Sequence, residues 1–309
     1  MKLLLTFALT IITAFSVQAK KYDISLNLEE GKTYTLHSKN AMVITQTYNG
    51  NEMAINMDMD FIIDYTVKSA KDNEFVLDVK YTELGMVLDL PQMKLDYRSG
   101  KEVSDTLNDI MSIMFDNMVG KSFELTLTEK GKVTKVTGFE SIIASLFENL
   151  PSSIDSQKDD LLKQMEDAFG EESFKQSMEA SMAIFPDKPV KVGESWTIES
   201  TISSTIEFSI KNVYTLEKVT DDLYLIKAVG SIASLGGADY VKQKGVFMKQ
   251  ELNGKSESDI SLVRNTGWIK LSEVKQNISG TTFMKQTEDG EVMEMPLTLI
   301  GTTTVTNKK

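Results

Sequence analysis

The side chains that could do chemistry in this 309-residue chain are few. There is one histidine, His37, and there are no cysteines. A serine–histidine–acid arrangement would have to use His37, and no Gly-x-Ser-x-Gly elbow accompanies it. Its place among threonines on one strand face reads as a solvated histidine. The missing cysteines remove thiol catalysis, disulfides and thiolate metal sites. Asn56, Asp58, Asp60 and Asp64 fall on one face of a strand, where paired carboxylates could serve glycoside hydrolysis or hold calcium. Residues two apart on a strand stand roughly 7 Å apart, so such acids spread out instead of converging. No residue pattern calls for a metal or a cofactor, and the chain reads as a non-enzyme.

Methionine is the abundant reactive type, with 17 residues. These side chains gather on apolar faces, and thioethers adapt to irregular gaps and to promiscuous binding surfaces. Met57, Met59, Phe61, Met111, Met114, Met118, Met178 and Met182 are the expected lining of a hollow for a lipid or another apolar small molecule. A filled core with methionine as packing material is the plainer expectation for the same residues.

The elements that must position them follow from periodicity. From Tyr34 to Tyr48 the even positions are the more apolar, and Asn49-Gly50 supplies a hairpin turn. Met53 to Val67 then alternates over fifteen positions, long enough to require a twisted, curved sheet. Phe75, Leu77, Val79 and Tyr81 take odd positions, whereas Leu84, Met86, Leu88 and Leu90 take even ones. This change of parity predicts a β-bulge between Thr82 and Gly85. A helix with a wide apolar stripe is expected from Ser104 to Val119, stopped at Gly120, and a hairpin from Phe123 to Val136. Further helices are expected from Phe139 to Leu150 and from Asp155 to Met182, the latter broken at Gly170.

Gly31-Lys-Thr-Tyr34-Thr-Leu36 and Gly193-Glu-Ser-Trp196-Thr-Ile198 share one local pattern. The expected fold is therefore α+β and β-dominated, with long curved antiparallel strands in two pseudo-repeated halves packed on central amphipathic helices. Its boundaries would be a signal peptide at 1–19, a first β half at 20–138 with its helix near 104–119, a helical segment at 139–184 and a second β half at 185–309. The signal rests on Lys2, the apolar run Leu3 to Phe15 and the Val17-Gln18-Ala19 cleavage pattern. Export to the periplasm or the medium is expected, without a lasting membrane span and without a cysteine for a lipid anchor. A formal charge of −12 argues against nucleic-acid partners.

Thr128-Glu-Lys-Gly-Lys-Val133-Thr-Lys-Val136-Thr-Gly138 and Phe185-Pro-Asp-Lys-Pro-Val190-Lys-Val-Gly193-Glu-Ser-Trp196, around a helical middle, resemble an uncharacterised family of exported, β-rich bacterial proteins, a domain of unknown function. The resemblance spans about residues 22 to 305 and implies no catalytic residues. Many such members carry a lipidated cysteine after the signal, which this chain lacks. The architecture is more loosely similar to periplasmic lipoprotein carriers, whose half-barrel holds helices in its hollow. The expected function is a non-enzymatic binding or carrier protein for an apolar ligand. The alternatives are an interaction module of the cell envelope, its protein partner unknown, and a carboxylate-dependent hydrolase.

Overall fold

The computed structural model describes residues 20–48, 50–90, 93–100, 107–150, 158–159, 162–163, 171–202, 207–235, 240–243 and 245–308. The first half runs through β1 (Lys21–Tyr22), β2 (Thr33–Tyr48), β3 (Asn51–Lys71), β4 (Glu74–Leu90), β5 (Met93–Arg98), β6 (Ser122–Thr128) and β7 (Val133–Thr137). Helices α1 (Leu107–Met118), α2 (Phe139–Ser145) and α3 (Glu171–Met182) fall between and after these strands. The second half holds β8 (Val190–Lys191), β9 (Ser195–Ile202), β10 (Phe208–Val219), β11 (Leu223–Ser234), β12 (Val241–Gln243), β13 (Val246–Val263), β14 (Ile269–Lys285) and β15 (Met293–Lys308).

All strand pairs are antiparallel. One large sheet runs β7-β6-β4-β3-β2-β15-β14-β13-β11-β10-β9, with β5 added beside β4 and β12 beside β13. Each half is a meander of hairpins, and β15 joins them by pairing with both β14 and β2. The strands β7 and β9 end the path at opposite sides, yet α3 packs against both. The sheet must therefore curl round until its two edges meet one helix. In the seam, the Val133 amide donates to the Glu179 carboxylate (3.1 Å) and the Trp196 indole donates to the Ile184 carbonyl (3.0 Å).

The repeated sequence pattern forms the same corner twice. Gly31 and Gly193 both take left-handed backbone, at φ 81° and 84°. The Gly31 amide donates to Val67 and the Val67 amide to Lys32; likewise Gly193 donates to Leu216 and Leu216 to Glu194. Tyr34 then stands opposite Tyr65, and Trp196 opposite Tyr214. Both halves thus open with a glycine corner and an aromatic cross-strand pair.

The bulge lies where the parity change requires it. Ile62 faces Glu83 while Ile63 faces Tyr81, leaving Thr82 unmatched, and its hydroxyl donates to the Ile62 carbonyl. This extra residue keeps both apolar runs of β4 on the concave face. Strand β3 is longer than the alternation predicts, at 21 residues. Helix α2 is shorter than expected: it ends at Ser145, and the amides of Phe147 and Glu148 bond back three residues. Those tighter turns aim Phe147 into the core, where it is buried, and Asn149 closes them with a positive φ. The proposed cap Ser104 and the break at Gly170 lie outside the described residues.

The core fills one end of the curled sheet. Val67, Leu77, Leu125, Leu216, Ile226 and Leu262 come from the concave face, with Ile142 and Phe147 from the α2 region. The segment before β2 crosses this end as a floor. Ile24, Leu26 and Leu28 are buried in it, and Leu26 and Asn27 donate to Glu129 and Thr266 in two strand-joining turns. Burial pushes the Tyr214 hydroxyl up to about 12, with a hydrogen bond to Asn212 opposing; Tyr65 is raised too, by burial and by nearby Tyr81. An unfolded tyrosine titrates near 10. The contribution of neutral Tyr214 to stability is therefore complete below about pH 10 and is lost as pH climbs through about 12. Denaturation midpoints should fall across that window, and Tyr214→Phe should flatten the fall.

Candidate functional site

The strand registers sort side chains into a convex and a concave wall. On the convex wall stand Thr302, Thr304 and Thr306 beside Ala41, Lys39 and His37, which in turn face Asp58, Asp60 and Ile62. This part of the outward face is threonine-rich and charged, and Val43 and Ile300, paired beside it on the same wall, are exposed apolar residues. Among the described residues, no helix is long and apolar enough to cross a membrane.

His37 is not a free, solvated histidine. Its Nε2 lies 2.5 Å from Asp60 Oδ1, and only 19% of the side chain is exposed. Lys39 (3.9 Å) and Arg98 (4.0 Å) approach the other oxygen of the same carboxylate. Asp64 accepts a hydrogen bond from the Thr35 hydroxyl. Asp60 is thus engaged by a histidine and two cations, and Asp64 by a hydroxyl. Among the described residues no three metal-ligating side chains converge, and Asp60 is engaged with His37, Lys39 and Arg98.

The concave wall changes character along its length. Beyond the core comes a polar belt, in which Thr303 donates to Asn40 (2.7 Å) and Asn40 to Ser38 (3.3 Å). Beyond the belt, Ile55, Ile44, Leu299 and Ile278 face one another in a row across β3, β2, β15 and β14. All four stay partly exposed, as do neighbouring Met42 and Met57. Nearby Thr282 is buried with its hydroxyl unpaired. At the end of the wall a groove of about 890 Å³ opens between Thr47, Val246, Met284, Val292, Met293 and Pro296. Ligand sites typically occupy roughly 300–1,000 Å³ and pair apolar walls with a few polar groups.

The methionines expected to line one hollow are spread over three places. Met57 borders the open apolar row, and Met59 follows it on the same wall, opposite Asn40. Phe61 and Met118 pack on a small cluster around Leu84 and Tyr97, with Phe61 edge-on to Tyr81 at 6.2 Å. Met114, Met118, Met178 and Met182 pack against the main core at the closed end. Met111 lies in α1, and its side chain is outside the described residues. The residues that sequence reasoning missed come from β15 and β14, with Ile44 and Met42 from β2 and Ile55 from β3. Their alternation was present, but only strand pairing shows that they form one row.

One protein-family model matches, over residues 72–269, a family of unknown function, DUF6263. No curated protein sequence matches the chain. Among solved structures, one of lipovitellin that describes its lipid–protein interactions is similar at 8% identity and a TM-score of 0.47, covering 92% of this chain and 26% of that one. The chain thus spans about a quarter of lipovitellin's length. An outer membrane channel from Pseudomonas putida F1 gives 7% identity and a TM-score of 0.24, covering 92% and 97% of the two chains. Pseudomonas aeruginosa OpdQ gives 6% identity and a TM-score of 0.21, covering 88% and 98%. At TM-scores below 0.5, none of these likenesses bears on function. The family match covers well over half of the 309 residues, and the chain belongs to DUF6263.

Proposed function

We propose that this protein is an exported, non-enzymatic binding or carrier protein that holds an apolar ligand, such as an acyl chain, against the concave wall. The observation that supports this most is the row Ile55, Ile44, Leu299 and Ile278, contiguous and partly exposed on the inward face of the curled sheet. Apolar area left to water on the sheltered side of a wall costs roughly 25 cal/mol per Å² that a ligand could recover. The polar belt of Ser38, Asn40 and Thr303 limits how deep an apolar chain reaches and offers hydrogen bonds to a polar end. Export rests on the pattern of residues 1–19, and nothing in the reading needs a cofactor or a nucleic-acid partner.

Native mass spectrometry of protein purified from its own exporting cell should find a co-purifying apolar molecule. A fluorescent fatty acid should bind the delipidated protein. Ile44→Glu places a carboxylate in the middle of the row and should weaken that binding at least tenfold, since a buried unpaired charge costs several kcal/mol. The thermal midpoint should hardly move, because Ile44 stands apart from the packed core. No co-purifying molecule and no probe binding would end this reading.

A further inference from the structure

The apolar row on the concave wall does not stop at Ile278. The registers carry it on through Gly254 to Ile232 and Ile210, so that it crosses β3, β2, β15, β14, β13, β11 and β10. Ile278 fills the space over Gly254, its Cγ1 standing 2.5 Å from where a Cβ there would be. Ile232 and Ile210 are partly exposed, like the four residues before them. Seven strands at about 4.8 Å spacing make a band roughly 29 Å long, which suits a long acyl chain lying across the strands.

A second row runs beside this band on the side of the core. Gln276, Ser256, Gly230 and Asn212 face one another across β14, β13, β11 and β10. A Cβ on Gly230 would collide with the Ser256 hydroxyl and the Asn212 amide oxygen, so both groups lie over the glycine on the inward face. Gln276 likewise lies against Gly301, its Nε2 3.0 Å from the Cβ position there. With Asn40 and Thr303, these side chains extend the polar belt into the second half. They donate and accept hydrogen bonds, and none of them ionises. Among the described residues, no Asp, Glu, Lys, Arg or His shares the inward face of these seven strands; Lys39, Asp60, Lys255 and Glu257 take outward positions. Asp116 reaches the inward side from α1, and there it accepts a hydrogen bond from the Tyr97 hydroxyl at 3.1 Å.

An ionised head therefore finds no counter-charge along this wall. A carboxylate or phosphate brought against the belt gives up its hydration without meeting a cation. At the open end it meets Glu291 and Glu294 among the residues lining the groove, where the Lys285 ammonium donates to the Glu288 carbonyl at 3.0 Å. An ester, alcohol or amide is matched by the hydroxyls and amides of the belt. We propose that the band takes a lipid with an uncharged polar part, such as an acylglycerol, in preference to a free fatty acid or a phospholipid. This rests on the apolar-ligand reading and adds to it the class of the ligand.

The test compares two probes on the delipidated protein: a monoacylglycerol and a free fatty acid that carry the same fluorescent chain. It is run at about pH 8, well above the carboxylate range, so that the fatty acid is ionised. Both should bind, the monoacylglycerol at least tenfold more tightly. Gln276→Lys places an ammonium in the belt and should cut that ratio at least threefold, with the thermal midpoint compared with that of wild type. Equal affinities in wild type, or tighter binding of the fatty acid, would overturn the preference and leave the carrier reading standing. A Gln276→Lys protein that melts like wild type and keeps the wild-type ratio would also overturn it, since the belt would then not meet the polar end of the ligand. Binding of neither probe would remove the carrier reading and the preference together.

Discussion

Trp268→Ala should cost about 3–5 kcal/mol in chemical denaturation, the range for deleting a large buried aromatic side chain. Trp268 is buried, and its ring centre lies 5.0 Å from that of Tyr34 and 5.3 Å from that of Tyr65. It follows Gly267, where a Cβ would come within 2.1 Å of the Ser25 carbonyl oxygen, so turn and floor segment are in direct contact. The indole nitrogen has no hydrogen-bond partner. The loss is thus one of packing, and Trp268→Phe should recover more than half of it. Trp196→Ala makes the contrast. That ring is only partly buried, stacked on Tyr214 at 5.7 Å with one hydrogen bond to Ile184. Its removal should cost less, roughly 2 kcal/mol, from partial burial and one hydrogen bond. Equal losses for the two variants would show that the seam at Trp196 is packed as tightly as the floor.

The second large effect is expected at Gly131, in the turn between β6 and β7. A Cβ there would stand 2.1 Å from the carbonyl oxygen of Met182, at the end of α3, and the residue has φ 76°. Gly131→Ala must both push α3 away and hold alanine in a left-handed conformation. The steric conflict costs roughly 1–3 kcal/mol, and the backbone adds about 1–2 kcal/mol. The damage should be local as well as global. Hydrogen exchange should accelerate first in α3 and at the Val133 amide, which depends on Glu179. Uniform acceleration over the whole sheet would mean that α3 does not hold the seam independently.

Much of the architecture can be read from side-chain alternation. The parity change in β4 locates Thr82 as the extra residue, and the two Gly-x-x-aromatic stretches identify both corners, because each follows from local backbone geometry. The pairing of β15 with β2 does not. Between Thr298 and Thr306 threonine stands on both faces, so alternation carries no contrast there, and only the hydrogen-bond register shows that Leu299 meets Ile44. Helix α2 was overestimated because Pro151 marks where a helix cannot continue, whereas the burial of Phe147 ends it earlier. The candidate site shares the difficulty of β15. Methionine spacing shows which face of its own element each residue takes, and it is silent about which elements lie opposite. Four of the eight expected residues consequently serve the packed end, and the open row is built by strands far apart in the chain.

That distance has a consequence for how the molecule is made. Strand β2 forms at the start of the chain, but its partner β15 is the last strand, and the Thr303–Asn40 hydrogen bond spans 263 positions. Until β15 emerges, β2 and β14 each keep an unpaired edge, and such edges invite pairing with other chains. Contacts of this separation also slow folding, because loop closure must precede any gain from them. The two halves therefore stay unjoined until β15 is available to pair with both β14 and β2.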